Sequence, residues 1–366
     1  MVVSDAGMTT RALTHDTVAW LLALSVPVRC TGAVAPPATT PGDGSALLEA
    51  LSRHGTGAIA LRRLGEFPVC RSIEPALRAA QAQNAHAALS SLALIGAIGC
   101  ALAATGVAWC VLKGVPLALQ HYGDLAARRV GDIDILVPPH QVQSADAALQ
   151  GCGWQRVGLS VDEPLPPLRY WHEQRYVEPG GTTLELHHRL HPNPYLLALS
   201  TGQVLADVTY LDVGDLRVPV LDPVTELLYL STHGSRHAWY RLLWVCDIAA
   251  ITANAAPDLL DRTYRAALRL RLQQPLAQAL LLAERLLAAS APPWAHALHQ
   301  RSRRQRRLLG FAQESLWGAR DGAGNPVNRT RSSLLSSLCQ RAGMRFWAWE
   351  LVLRARHEWR GRLAPA

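Results

Sequence analysis

Residues 132–137 read Asp-Ile-Asp-Ile-Leu-Val, and no other run constrains the fold of this chain as much. Alternation at period 2 with β-branched residues predicts a strand. That spacing sends Asp132 and Asp134 to one face and Ile133 and Ile135 to the other. Two carboxylates so close repel and lose solvation unless a cation compensates. The strand must therefore separate an apolar core from a charged face. Such a pair suits a hard divalent cation, Mg²⁺ or Mn²⁺, which takes one or two carboxylates and keeps places for water and phosphate.

Further β-type runs surround it at Trp109–Leu112, Trp154–Val157, Arg175–Glu178 and Thr183–His188. The stretch "VTYLDVGDLRVPVL" reads as a hairpin turning at Val213-Gly214-Asp215. Helical patterns lie on both sides. Thr14 or Asp16 is expected to cap a first helix and Ser45 a second, and a long third helix is expected from Ile73 to Thr105. A short helical piece is expected over Val115–His121, and another helix from Gln141 to Gly151 or Gly153. After Asp222-Pro223, an N-cap with proline at N1, the period returns to 3.6 over four amphipathic segments. The fold class is α+β: a small mixed sheet between an N-terminal helical region and a C-terminal helical domain. The expected divisions are 1–72, 73–221, 222–290 and a basic amphipathic tail, 291–366.

Residues 88–112 carry no charge over a length that would span a bilayer. Serine, threonine and many small residues interrupt this stretch, so the expectation is a buried helix ending near Gly106, without stable membrane insertion. The seven cysteines stand singly, with no Cys-x-x-Cys pair, and an odd number at such spacings gives neither a disulfide framework nor a zinc site. With no charged-then-apolar leader at the N-terminus, the expected compartment is the cytoplasm. The net charge of +8 is concentrated in the last 70 or so residues, in "RSRRQRR" and "MRFWAWELVLRARHEWRGRL". Such segments are solvated helix faces, or meet phosphate-bearing partners.

Lys113 is the one lysine among 36 basic side chains, all the others being arginine. It stands in Leu112-Lys113-Gly114, where a strand ends at a glycine and a helix opens, a geometry that offers backbone N–H groups to an anion. Glu185, between Leu184 and Leu186, is either the exposed side of an alternation or a third site carboxylate. Arg128 and Arg129 lie just upstream of the aspartates and either contact phosphate or balance the acidic cluster. His187 and His188 follow Glu185; His187 is expected to face away from it, leaving both an orienting role at most. His233 and His237, at i and i+4 on a helix, line a pocket with Asp247 or form a polar packing cluster.

Leu-Lys-Gly, then Tyr, Arg, Asp-Ile-Asp-Ile-Leu-Val and Leu-Glu-Leu-His resembles the DNA polymerase β-like nucleotidyltransferase superfamily. More narrowly it resembles a group of bacterial nucleotidyltransferase family proteins that continues with a helix like residues 226–251. The resemblance covers roughly residues 75–290. It implies that Asp132 and Asp134 bind metal, and that Glu185 supplies the third carboxylate, holding metal or accepting the acceptor's proton. It also implies that Lys113 and Gly114 sit at the triphosphate and that Arg128 holds the family's arginine position. The chain departs from the superfamily where Gly-Ser or Gly-Gly is usual, having Lys113-Gly114 followed by Val115.

The expected activity is Mg²⁺-dependent transfer of a nucleoside monophosphate from an NTP to a hydroxyl or phosphate acceptor. That acceptor is a small molecule, sugar or peptide in a biosynthetic setting, with RNA left open by the basic tail. One alternative is a glycosyltransferase holding a nucleotide-sugar through Asp-x-Asp, which gives Lys113-Gly114 and Glu185 no task. Another is a non-catalytic nucleotide-binding regulator.

Overall fold

The computed structural model describes residues 13–28, 30, 34–38, 44–158, 163–165, 171–318 and 329–363. Much of the loop 32–44 and most of the insert 318–333 fall outside these residues. The chain is α+β, and its contacts divide it into two units.

One unit comprises Ala85–Gln120, Val130–Tyr229 and Ala342–Ala366. Its described residues form one seven-stranded sheet. The strands are β1 (Cys110–Val111), β2 (Ile133–Leu136), β3 (Gln155–Arg156), β4 (Glu173–Val177), β5 (Thr183–His187), β6 (Thr209–Val213) and β7 (Leu216–Val220). They run in the order β3-β4-β5-β2-β1-β7-β6. β2 pairs parallel with β5, and β1 with β7; the other neighbours are antiparallel. The sheet is mixed, as the short interleaved strands and helices implied.

Alternation decides the faces. Ile133, Ile135, Tyr176, Leu184 and Leu186 are buried, while Asp134, Glu185 and Arg175 occupy the intervening positions. The β6–β7 hairpin turns at Gly214, whose φ of +58° is the left-handed region that favours glycine. The helix Val142–Gly151 follows β2 and is tied to the sheet by a buried polar knot. Asp146 accepts from Arg156 Nε at 2.7 Å and from the Tyr176 hydroxyl at 2.7 Å.

The helix Glu74–Ala104 corrects one expectation. From Ala85 onward its buried residues form a single stripe: Ala88, Ser91, Ile95, Ile98 and Leu102. The rest is largely uncovered, with Leu89 57% exposed. The low charge of this segment comes from alanine and glycine, whose small side chains need little covering, rather than from enclosure. By length and composition the helix could cross a bilayer, with mean hydropathy 2.0 over its most apolar window.

In the same unit the helix Met344–Leu363 buries Phe346 and Glu350. Asn193 Nδ2 donates to Phe346 O at 3.1 Å and to Glu350 Oε1 at 2.8 Å. Met344, Trp347, Leu351 and Val352 face outward at helical spacing.

The other unit comprises Met1–Asn84, His121–Arg129 and Leu230–Arg341. The N-terminal helices and those between Leu230 and Arg341 therefore belong to one helical unit, while the last helix, Met344–Leu363, belongs to the sheet unit. The helices Leu242–Ala253 and Gln273–Leu287 are buried over most of their lengths, the first because it is apolar nearly all round. Thr14 caps the helix His15–Ser25 by accepting from Thr17 N at 3.2 Å. Ser45 does not cap the next helix. Gly44 takes that position at φ +79°, and a Cβ there would meet Ile73 Cγ2 at 2.4 Å.

The Asp146 knot gives a stability test. Asp146→Ala would leave the Arg156 guanidinium and the Tyr176 hydroxyl buried without their acceptor. The expected loss is about 3–5 kcal/mol, read as a lower urea midpoint. A shift below ~1 kcal/mol would show that water replaces the carboxylate.

Candidate active site

The registers of β2, β4 and β5 build one charged patch. Asp134 lies beside Glu185, and Leu136 beside His187, across the parallel β2–β5 ladder. Glu173 lies opposite His187, and Arg175 opposite Glu185, across the antiparallel β4–β5 ladder. Residues two apart on a strand share a face, so Asp134, Glu173, Arg175, Glu185 and His187 all project from one side of the sheet. Asp132 joins them through Thr183, whose hydroxyl donates to Asp132 Oδ1.

Asp134 is the buried centre, with 0% of its surface exposed. Lys113 Nζ ion-pairs with its Oδ2, and His187 Nε2 lies 3.3 Å from its Oδ1. Burial opposes ionisation, but Lys113 and the His187 hydrogen bond outweigh it and hold the carboxyl below the usual range. Lys113 is carried there because Leu112 N donates to Asp134 O at 2.9 Å, extending the ladder past β1.

His187 does not face away from Glu185. Its Nε2 lies 3.6 Å from Glu185 Oε2, and its Nδ1 lies 3.6 Å from Glu173 Oε2. The physical reason is strand period: Glu185 and His187 are i and i+2. Burial opposes its charge, but the hydrogen bonds to Asp134 and Glu185 and the charges of Glu173 and Asp134 raise it to about 9. Arg175 Nη2 donates to Glu185 Oε1 at 3.1 Å. Asp132, Asp134, Glu173 and Glu185 thus meet Lys113, Arg175 and His187. His188 is also buried, and burial with the neighbouring Arg189 charge depresses it to about 4.

Gly114 has φ +91° and ψ −123°, a conformation essentially reserved for glycine. The helical piece after it is only Val115–Leu117, continued by a π turn over Ala118–Tyr122. Any grip on an anion here therefore rests on Lys113 and the main-chain N–H groups around Gly114 rather than on a helix end.

The remaining expected residues lie in the helical unit. Arg128 is buried, and its Nε and Nη2 donate to Asp247 at 2.7 Å and 2.8 Å. Tyr122 adds its hydroxyl to Asp247 at 2.9 Å. Burial and the Asp247 charge hold that phenol well above its ordinary value. The rings of His233 and His237 lie 4.8 Å apart between centroids and tilted by 52°, with Trp244 against both. Asp247 is committed to Arg128 and Tyr122.

Glu173, Arg175, His172 and Thr183 escaped the sequence reading. Starting β4 at Arg175 hid the first two residues of its alternation, Glu173 and Gln174. The signal was present in Glu-Gln-Arg-Tyr, where Gln174 and Tyr176 are buried and Glu173 and Arg175 are not.

A family model described as uncharacterised nucleotidyltransferase matches residues 40–288, more than half of the chain. The chain belongs to this nucleotidyltransferase family. No curated protein shows significant sequence similarity to it. Among solved structures it is similar to an antigenic nucleotidyltransferase-like protein from Paracoccidioides brasiliensis. The match has 15% identity and covers 50% of this chain and 90% of that one, with a TM-score of 0.30, too low to bear on the argument. A nucleotide substrate follows from the family. Among the described residues, two groups of side chains of the kinds that can hold a cation share His187: Asp134–Glu185–His187 and His172–Glu173–His187.

The place of Arg128 can be tested. Arg128→Ala should cost about 3–5 kcal/mol of stability by uncovering Asp247. A role on phosphate predicts instead a raised KM for nucleotide with the melting temperature unchanged.

Proposed function

We propose that this nucleotidyltransferase moves a nucleoside monophosphate from an NTP to a hydroxyl or phosphate acceptor. The observation that carries the reading is the convergence of Asp132, Asp134 and Glu185 on one sheet face beside Lys113-Gly114. The donor set fits a hard divalent cation: three carboxylates, two of them on directly paired strand positions, with acidic groups in excess of basic ones. Asp132, Asp134 and Glu185 would hold Mg²⁺, which when bound supplies positive charge against the triphosphate.

The chain's own groups do the rest. Lys113 pairs with Asp134 while no phosphate is present, and its flexible stem lets the ammonium turn to a triphosphate oxygen instead. Gly114 presents main-chain N–H groups without a side chain in the way. The acceptor oxygen bonds to the α-phosphorus as the bond from that phosphorus to the pyrophosphate oxygen breaks. The acceptor's proton passes to the Glu185 carboxylate, and pyrophosphate leaves with the bonding pair. Arg175, hydrogen-bonded to Glu185, orients that carboxylate.

The test uses α-labelled NTPs, Mg²⁺ and separated small-molecule, RNA and protein fractions as acceptors. Wild type should transfer label. Asp132→Asn should lose transfer by roughly 100-fold or more. Because Asp132 is exposed, its stability should stay within about 0.5 kcal/mol. Full turnover in Asp132→Asn, or transfer of sugar from UDP-sugars in place of nucleotide, would sink the reading. Lys113→Arg should raise the KM for NTP, at an unchanged melting temperature.

A further inference from the structure

His187 offers two nitrogens to two different clusters. Its Nε2 serves Asp134 and Glu185, which belong to the site already described. Its Nδ1 faces His172 and Glu173, and the ligating atoms of those three residues all lie within 4.8 Å of one another. We propose that His172, Glu173 and His187 form a separate cation site, taking a borderline divalent metal of the Zn²⁺ or Co²⁺ class. This assignment stands independently of the transfer reaction.

Three observations support it. First, Nδ1 of His187 has no hydrogen-bond partner although the residue is only 4% exposed. A buried polar atom left so is costly unless something meets it. Its neighbour Glu173 Oε2 is 3.6 Å away, too long for a hydrogen bond. Two ligands on a tetrahedral ion with bonds of about 2.0–2.2 Å stand about 3.3–3.6 Å apart.

Second, the other face of the ring has the partner that metal-binding imidazoles usually have. Nε2 lies 3.3 Å from Asp134 Oδ1. A carboxylate accepting from one nitrogen fixes the tautomer and turns the lone pair of the other toward a metal. A cation on Nδ1 takes the place of the proton there, and the nearby carboxylates favour either.

Third, the ligands are held by the sheet. Glu173 and His187 are directly paired across β4 and β5. His172 precedes β4, and its carbonyl accepts from His188 N at 3.0 Å. His172 Nε2 rests 2.8 Å from Glu173 Oε2, and its ring meets that of His187 edge-on at 5.8 Å. Opening the first contact by about 0.5 Å gives the spacing of two ligands on one ion. Two imidazoles and one carboxylate select Zn²⁺ or Co²⁺ over Mg²⁺, unlike the oxygen set of Asp132, Asp134 and Glu185.

The test titrates the metal-free full chain with Co²⁺ in excess Mg²⁺, followed by visible d–d absorption and calorimetry. One equivalent of Co²⁺ should bind with d–d bands. His172→Ala and Glu173→Gln should weaken it about 100-fold or more, while Asp132→Asn and His237→Ala leave it intact. His172→Asn replaces the alanine variant if that one does not fold. Absence of bands in wild type overturns the proposal. So do bands unchanged in the His172 variants, which would put Co²⁺ on Asp134, Glu185 and His187. Loss of transfer in Asp132→Asn with Co²⁺ binding retained would separate this site from the transfer reaction.

Discussion

The charged face depends on one buried carboxylate. Asp134 sits in the middle of a strand whose four residues are all buried, where an uncompensated charge would be expelled by protonation. Lys113 and His187 keep it ionised from two sides, one oxygen each. This requirement fixes more than one side chain. It places the end of β1 beside β2 so that Lys113 reaches across, and it puts His187 on the same sheet face as Glu185. The Asp132–Thr183 and Arg175–Glu185 contacts extend the same register outward.

Much of this was legible in the sequence, for a simple reason. Strand period is local, so the face shared by Asp132 and Asp134, the β2 and β5 segments and the Gly214 turn followed from spacing alone. The same rule, applied consistently, places His187 with Glu185; reading it as facing away broke the period-2 argument. Glu173 was lost differently, because its visibility depends on where β4 begins, and strand ends are set by pairing with β5. The Asp146–Arg156–Tyr176 knot joins residues ten and thirty positions apart. No local pattern marks such an acceptor.

Arg128 illustrates a related limit. An arginine a few residues before a carboxylate pair looks like a phosphate contact, yet its charge is spent on Asp247, 119 residues later in the chain. Bidentate pairing of guanidinium and carboxylate in a buried setting is specific in geometry and costly to break. Asp247 was legible as an acidic group on an apolar helix, and a buried charge implies a partner. Sequence could not say which arginine, out of so many, would supply it. Alanine-rich composition misled in the opposite direction, since the long helix ending at Ala104 is apolar without being enclosed.

The use of lysine at position 113 has a physical logic in a chain that otherwise chooses arginine. A guanidinium on Asp134 would lock in through two parallel hydrogen bonds, with five donors demanding acceptors in a site 19% exposed at that side chain. An ammonium makes a compact point contact and can be exchanged by turning its stem. Under the proposed transfer, the group that neutralises Asp134 at rest must let go when phosphate arrives, and the oxygen it vacates becomes available to a cation. A group chosen for release should bind through one strong contact rather than two cooperative ones. Lysine meets that condition and arginine does not, so the exception at 113 follows from the chemistry asked of Asp134.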